Sequence, residues 1–340
     1  MLSKENPVFL AEGELKTKKG HKGIFLFLLL LFLGIVGYAA YRYHVHIWLL
    51  FAPKEESELV MRFERAQQTI REAPFETSAT ELRESKFVSE FFRYLKAYLD
   101  TRPAEAMGHA LSGLIEYELF LLPLRKEKYL YDDLLFLCYI GKYRFPASLD
   151  FSLWQKSILT LRKALALGLK GNWQERVNYA LASLYLWGGL SYWNAAYSLL
   201  GQKDEDLFLK DILNILSQHA PPRFTYLESY FGKESAQLGQ AIYYLKSGNT
   251  PVGYSLLYQL TNLKERADIR NRALYLLGHV HAKQKHYRQQ LYYLRQMDAM
   301  EFGKSFPWFI EEYVFLLRFL GDHGTAQRIL EEYARLNANK

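Results

Sequence analysis

Leu274-Tyr275-Leu276-Leu277-Gly278-His279-Val280-His281 is followed by Lys285-His286-Tyr287 and then by Leu291 and Leu294. The fold class turns on this stretch. Leu274, Leu277, Gly278 and His281 recur at i, i+3, i+4 and i+7, the period of one helix face. The polar run that follows reads as a tight turn, and Tyr287, Leu291 and Leu294 restart the same period. A glycine inside a helix lowers its propensity, so Gly278 calls for a packing reason. Two helices that cross closely supply one, because a side chain there would push them apart.

The unit recurs along the chain. One copy begins at Leu238-Gly239 with Ile242, turns at Ser247-Gly248-Asn249 and continues with Gly253 and Leu257. Another runs through Tyr313, Leu317, Gly321, Ala326, Leu330 and Tyr333. A weaker one runs through Leu181, Ala182, Tyr185, Gly189 and the Ala195-Ala196 pair. This spacing resembles the tetratricopeptide repeat, in which a first helix carries a large residue, Leu-Gly and an aromatic, and a second carries a small residue. The match departs from that family in places. His281 stands at the aromatic position, Gln290 at the small one, and the repeat-ending proline is mostly missing.

The punctuation elsewhere agrees with helices joined by short turns: Ala73-Pro74, Thr101 to Pro103, Pro123, Gly141 to Pro146, Gly168 to Asn172, Gly188-Gly189, Gly201, Pro221-Pro222, Gly303 and Gly321 to Gly324. Roughly fourteen helices follow from this spacing, with no sustained period-two alternation to suggest strands. The expected fold is therefore all-α: a right-handed superhelical solenoid of antiparallel, TPR-like helix pairs over residues 171–340. An irregular helical extension fills 46–170.

Residues 23–45 have a different character. Gly23 to Tyr41 reads GIFLFLLLLFLGIVGYAAY, uncharged and about as long as a bilayer core requires. Lys16, Lys18, Lys19 and Lys22 precede it, and Tyr41, Tyr43 and Trp48 follow. That arrangement reads as a signal anchor, with the basic tail 1–22 in the cytoplasm and the body on the far, periplasmic side of an inner membrane. A cleaved signal peptide ending near Gly37-Tyr38-Ala39 is the competing reading. The apolar stretch that continues into Ile47 to Phe51 counts against it.

Charge and chemistry narrow the function. The formal net charge is +7, and Lys264 to Lys304 holds nine Lys or Arg against four Asp or Glu, which suits an acidic partner. The single cysteine, Cys138, excludes an intramolecular disulfide framework and reads as a buried apolar residue. Phe302-Gly303-Lys304-Ser305 carries the end of a phosphate-loop motif, but Asp298 occupies the place of its first glycine. His279, His281 and His286 look like a metal cluster, but helical positions two apart point to different sides, so His279 and His281 cannot easily share an ion. No catalytic constellation emerges, so the expectation is a protein that is not an enzyme and has no cofactor. Nucleic-acid binding is not expected either.

In the repeat family the first helix of each pair lines a concave face on which other proteins lie. The resemblance places Arg272, Tyr275 and His279 there, with Lys233, Gln240 and Tyr243 before them. Trp308, Glu311 and Arg318 follow, and Arg176 and Tyr179 come from the weakest copy. The expected function is a membrane-anchored scaffold or adaptor within an envelope machine; exposed terminal helices would permit self-association. Architecture sets it beside the periplasmic collar of the spirochaete flagellar motor and beside translocon-associated repeat proteins, and analogy leans to the collar. A periplasmic chaperone or peptide-binding module is the alternative.

Overall fold

The computed structural model describes residues 54–338 other than Phe75 and Lys128. The expected membrane span at 23–45 lies outside the described residues, among which no helix is long and apolar enough to cross a membrane. The chain divides into two units, Met1–Met61 and Arg62–Lys340. Of the first, only the start of one helix falls among the described residues.

The described residues are all-α, without a strand. In chain order the helices are α1 Lys54–Glu72, α2 Ala79–Glu84, α3 Lys86–Thr101, α4 Ala106–Phe120, α5 Leu122–Lys126, α6 Tyr129–Tyr139, α7 Phe151–Ala166, α8 Gly171–Trp187 and α9 Leu190–Leu199. They continue with α10 Asp204–Ser217, α11 Thr225–Phe231, α12 Lys233–Lys246, α13 Thr250–Thr261, α14 Ala267–Lys283, α15 Tyr287–Leu294, α16 Ala299–Ser305, α17 Pro307–Phe319 and α18 His323–Ala338.

Each of the four sequence copies is one helix pair: α8 with α9, α12 with α13, α14 with α15, and α17 with α18. Each turn holds one residue at positive φ, namely Gly189, Gly248, Lys285 and Gly321. Such a turn reverses the chain within a few residues, and glycine adopts that backbone without a Cβ clash. Lys285 is the exception, at φ 61°.

The glycines inside helices have the expected packing cause. A Cβ on Gly253 of α13 would lie 2.7 Å from Leu245 Cγ and 3.2 Å from the Ala241 carbonyl oxygen of α12. Gly278 faces Gln290 and Leu294 of α15, so the missing side chain makes room for the buried glutamine that departs from the family pattern.

Pro123 marks a true boundary: α4 ends at Phe120, and the proline sits in the first turn of α5, where its missing N–H costs nothing. Gly303 is not a break, because it lies inside α16, where a Cβ would collide with Ile310. Asp298, which spoils the phosphate-loop motif, caps α16 by accepting a hydrogen bond from the Glu301 N–H at 2.9 Å.

The extension before residue 170 is organised around α4, which is buried on nearly every side. It packs against α7 so closely that a Cβ on Gly113 would lie 2.6 Å from Leu161. Two carboxylates sit on this buried helix. Glu118 accepts hydrogen bonds from Gln67 at 2.7 Å, Arg71 at 2.6 Å and Arg125 at 2.6 Å. Arg176 joins the same network by donating to Gln67 at 3.1 Å. Glu116 is fully buried, with Lys156 against it and Arg83 at 3.9 Å.

Candidate functional site

The residues proposed to line a partner face fall into two groups. Arg272, Tyr275, His279 and Trp308 converge on one aromatic cluster. Tyr275 stacks on His279 with centroids 6.1 Å apart and meets Trp308 edge-on at 5.5 Å. Its hydroxyl donates to Glu312 at 3.0 Å, and burial pushes the phenol pKa up. Lys142 pairs with Glu312 at 2.6 Å and lies 3.8 Å from the Trp308 ring centroid.

This cluster is covered. Arg272 is 4% exposed and Tyr275 is 2% exposed. What covers them is α6. Asp133 of α6 takes the Arg272 guanidinium, Phe136 meets Tyr275 edge-on at 5.5 Å, and Tyr139 meets His279 at 6.0 Å. On α12, Ser235 donates to Asp132 at 2.9 Å, and Leu135 lies against Gly239.

The chain's own helix thus occupies the faces of α12 and α14 that the repeat resemblance assigns to a partner. The physical reason is that α6 is apolar and carries Asp132-Asp133. It therefore meets both needs of those faces, apolar cover and a countercharge for Arg266 and Arg272. Arg272 and Tyr275 belong to the interior, where they cannot reach a partner while the fold is intact.

The remaining residues scatter. Lys233, Glu311 and Arg318 are exposed; Gln240 and Tyr243 are half-buried, with Tyr243 against Phe224 and Tyr244. Arg176 serves the Glu118 network and lies over Trp173, and Tyr179 is half-buried in α8. His279 and His281 do face different surroundings, the latter stacking on Tyr293 at 5.5 Å.

The buried titratable groups have readable causes. Burial pushes the Asp132 carboxyl up to about 6, although Arg272, Ser235 and Arg266 pull against it. Burial holds His279 down at about 4, helped by the nearby Lys283 and Lys142 cations. Cys138 is pushed up to about 12 by burial, which makes it an inert thiol.

The open surface near the C-terminus is built differently. Phe315 and Phe319 stand one turn apart on α17, 69% and 61% exposed, and Tyr287 of α15 packs edge-on against Phe319 at 5.3 Å. Arg318 shares that face of α17 by its i+3 spacing from Phe315. A cleft of about 520 Å³ adjoins it, lined by Arg288, Tyr292, Arg295, Leu320 and Asp322. Arg295 is paired with Asp322 at 2.6 Å. Lys283, Lys285, Arg288 and Arg318 are exposed and have no carboxylate partner among the described residues. Sequence reasoning picked Arg318 but missed the rings. Three aromatics at 315, 319 and 287 were signal enough to ask which of them had no neighbour to pack on.

No protein-family model matches the chain, and neither a curated protein nor a solved structure matches it.

Proposed function

We propose that this chain is a protein-binding scaffold or adaptor of the bacterial envelope, built on TPR-like helix pairs in a solenoid. Residues 23–45 anchor it in the inner membrane and the helical body faces the periplasm. The single observation that carries the binding role is the open face of α15 and α17. It sets Phe315, Phe319 and Tyr287 beside Arg288 and Arg318, which have no carboxylate partner among the described residues. Soluble surfaces rarely leave large rings grouped together, and aromatic and arginine side chains are the residues that anchor protein interfaces. The partner chemistry it fits is an acidic segment with apolar anchors, the complement of rings and cations together.

The test is crosslinking of the full-length protein in cells, with the partners identified by mass spectrometry. A Phe315→Ser/Phe319→Ser double variant and Arg318→Glu are expected to lose a small set of stoichiometric partners while keeping helicity and membrane fractionation. Retention of every partner by both variants would overturn the assignment of this face. Capture of many unrelated secreted chains at low yield would favour a chaperone instead.

A further inference from the structure

A second cavity lies far along the chain from that face, and nothing above uses it. It is a cleft of about 570 Å³, within the size range of small-molecule sites. Its walls come from the end of α6 and the loop after it, from α7 and α9, and from the ends of α8, α10 and α12. The rings of Phe145, Phe151 and Trp154 form one wall: Phe145 meets Phe151 edge-on at 5.2 Å and Trp154 at 5.6 Å. Phe151 is itself half exposed at the rim, and Leu190 beside it is 75% exposed. Gly188-Gly189 keeps the backbone bare where the cleft turns. A Cβ on Gly188 would strike the Tyr192 and Trp154 rings, and Gly189 holds φ at 83°.

Charge in this cleft has one sign. Lys246 and Arg144 line it, and no Asp or Glu does among the described residues. Lys246 is half-buried and donates one hydrogen bond, to the Leu216 carbonyl oxygen, and neither cation has a carboxylate partner among the described residues. A half-buried ammonium with no countercharge is costly unless an anion completes it. Burial lowers its pKa, in keeping with that cost. Trp187, also in the lining, holds an indole N–H with no acceptor among the described residues.

From the ring wall and the uncompensated cations we infer that this cleft binds a small aryl carboxylate, with its ring against Phe145, Phe151 and Trp154 and its carboxylate toward Lys246. A flat ring joins an edge-and-face aromatic cluster without disturbing it. The carboxylate supplies the missing countercharge and an acceptor. This site is independent of the partner face on α15 and α17.

Three of the six tryptophans, Trp154, Trp187 and Trp193, line the cleft and report on its occupancy. Full-length protein in lipid nanodiscs is titrated with 2-naphthoate while tryptophan emission is followed, with empty discs subtracted. Saturable quenching is expected, with the neutral isostere 2-naphthamide binding roughly tenfold or more weakly, as loss of one charge-assisted contact implies. Lys246→Met is expected to weaken naphthoate to the level of the amide. Arg144→Glu, at an exposed position where substitutions cost little stability, is expected to weaken it several-fold, to about a third or less. Equal affinity for acid and amide, equal affinity of wild type and Arg144→Glu, or no saturable quenching would each overturn the inference.

Discussion

Lys285 is the one non-glycine residue at the positive-φ position of the four helix-pair turns. A side chain in that region costs about 1–2 kcal/mol, of which the extra chain entropy of glycine returns a part. Lys285→Gly is therefore expected to stabilise the protein by about 0.5–1 kcal/mol in chemical denaturation, and Lys285→Ala, which keeps the Cβ, is expected to give no gain. Arg272 makes the opposite case. It is buried between Asp133 and Asp268, so Arg272→Ala leaves the half-buried Asp133 without its cation, while Asp268 keeps Arg266. The expected cost is about 3 kcal/mol, against less than about 0.5 kcal/mol for Arg318→Ala on the open face. Denaturant midpoints of the two variants, measured side by side, check the pair. Equal small losses would mean that Arg272 is not the interior residue its contacts make it.

At the scale of elements, α6 packs against both α12 and α14, and it brings Asp132 and His279 into the same contact region with opposite pH responses. The Asp132 carboxyl rises to about 6 in the fold from an ordinary value near 3.8. Between those values the native state holds a proton that the unfolded state has released, so its contribution to stability falls as pH rises. His279 drops to about 4 from an ordinary 6.5. Between those values the unfolded state holds the extra proton, so its contribution to stability rises with pH. The two slopes oppose each other between about pH 4 and 6, and the wild-type profile is expected to be shallow there. Asp132→Asn removes one slope and should leave stability rising with pH, while His279→Gln should leave it falling. Denaturation midpoints from pH 4 to 7 read both. Identical profiles for the two variants would show that neither group's pKa differs between the folded and unfolded chain.

At the scale of the whole molecule, the functional question becomes which surface is left open. Four helix pairs were legible because each is written locally, as a period of 3.6, a turn residue that tolerates positive φ, and a small residue where two helices touch. The same local signals misled at Gly303, since a glycine at a close crossing looks like a break until the neighbour is known. The partner face was less legible. Residue types and spacing pointed to the first helices, and Arg272, Tyr275 and His279 do share a face of α14. That the face is covered by a helix about 140 residues earlier in the chain is a long-range fact. Asp132-Asp133 in an otherwise apolar stretch was its only local trace. The open rings on α15 and α17 follow from the same accounting, because Phe315, Phe319 and Tyr287 pack on one another and leave much of their surface to solvent. The crosslinking outcome for Phe315, Phe319 and Arg318 is decided at this scale.

Helix content, the position of most turns and the pairing of neighbouring helices depend on residues within about 40 positions of one another, and the chain's own pattern was enough to give them. The Gln67 and Arg176 contacts around Glu118, the closure of α6 over α12 and α14, and the aromatic cleft beside Lys246 join segments about 50 to 170 residues apart, as the Gln67–Glu118 and Lys142–Glu312 contacts do. A charge in an amphipathic pattern reads as solvated until a distant cation or ring is brought against it, and only packing makes that match. Periodicity tells a residue which way it faces along its own helix, and the three-dimensional arrangement alone settles whether that side meets water, a partner or the rest of the chain.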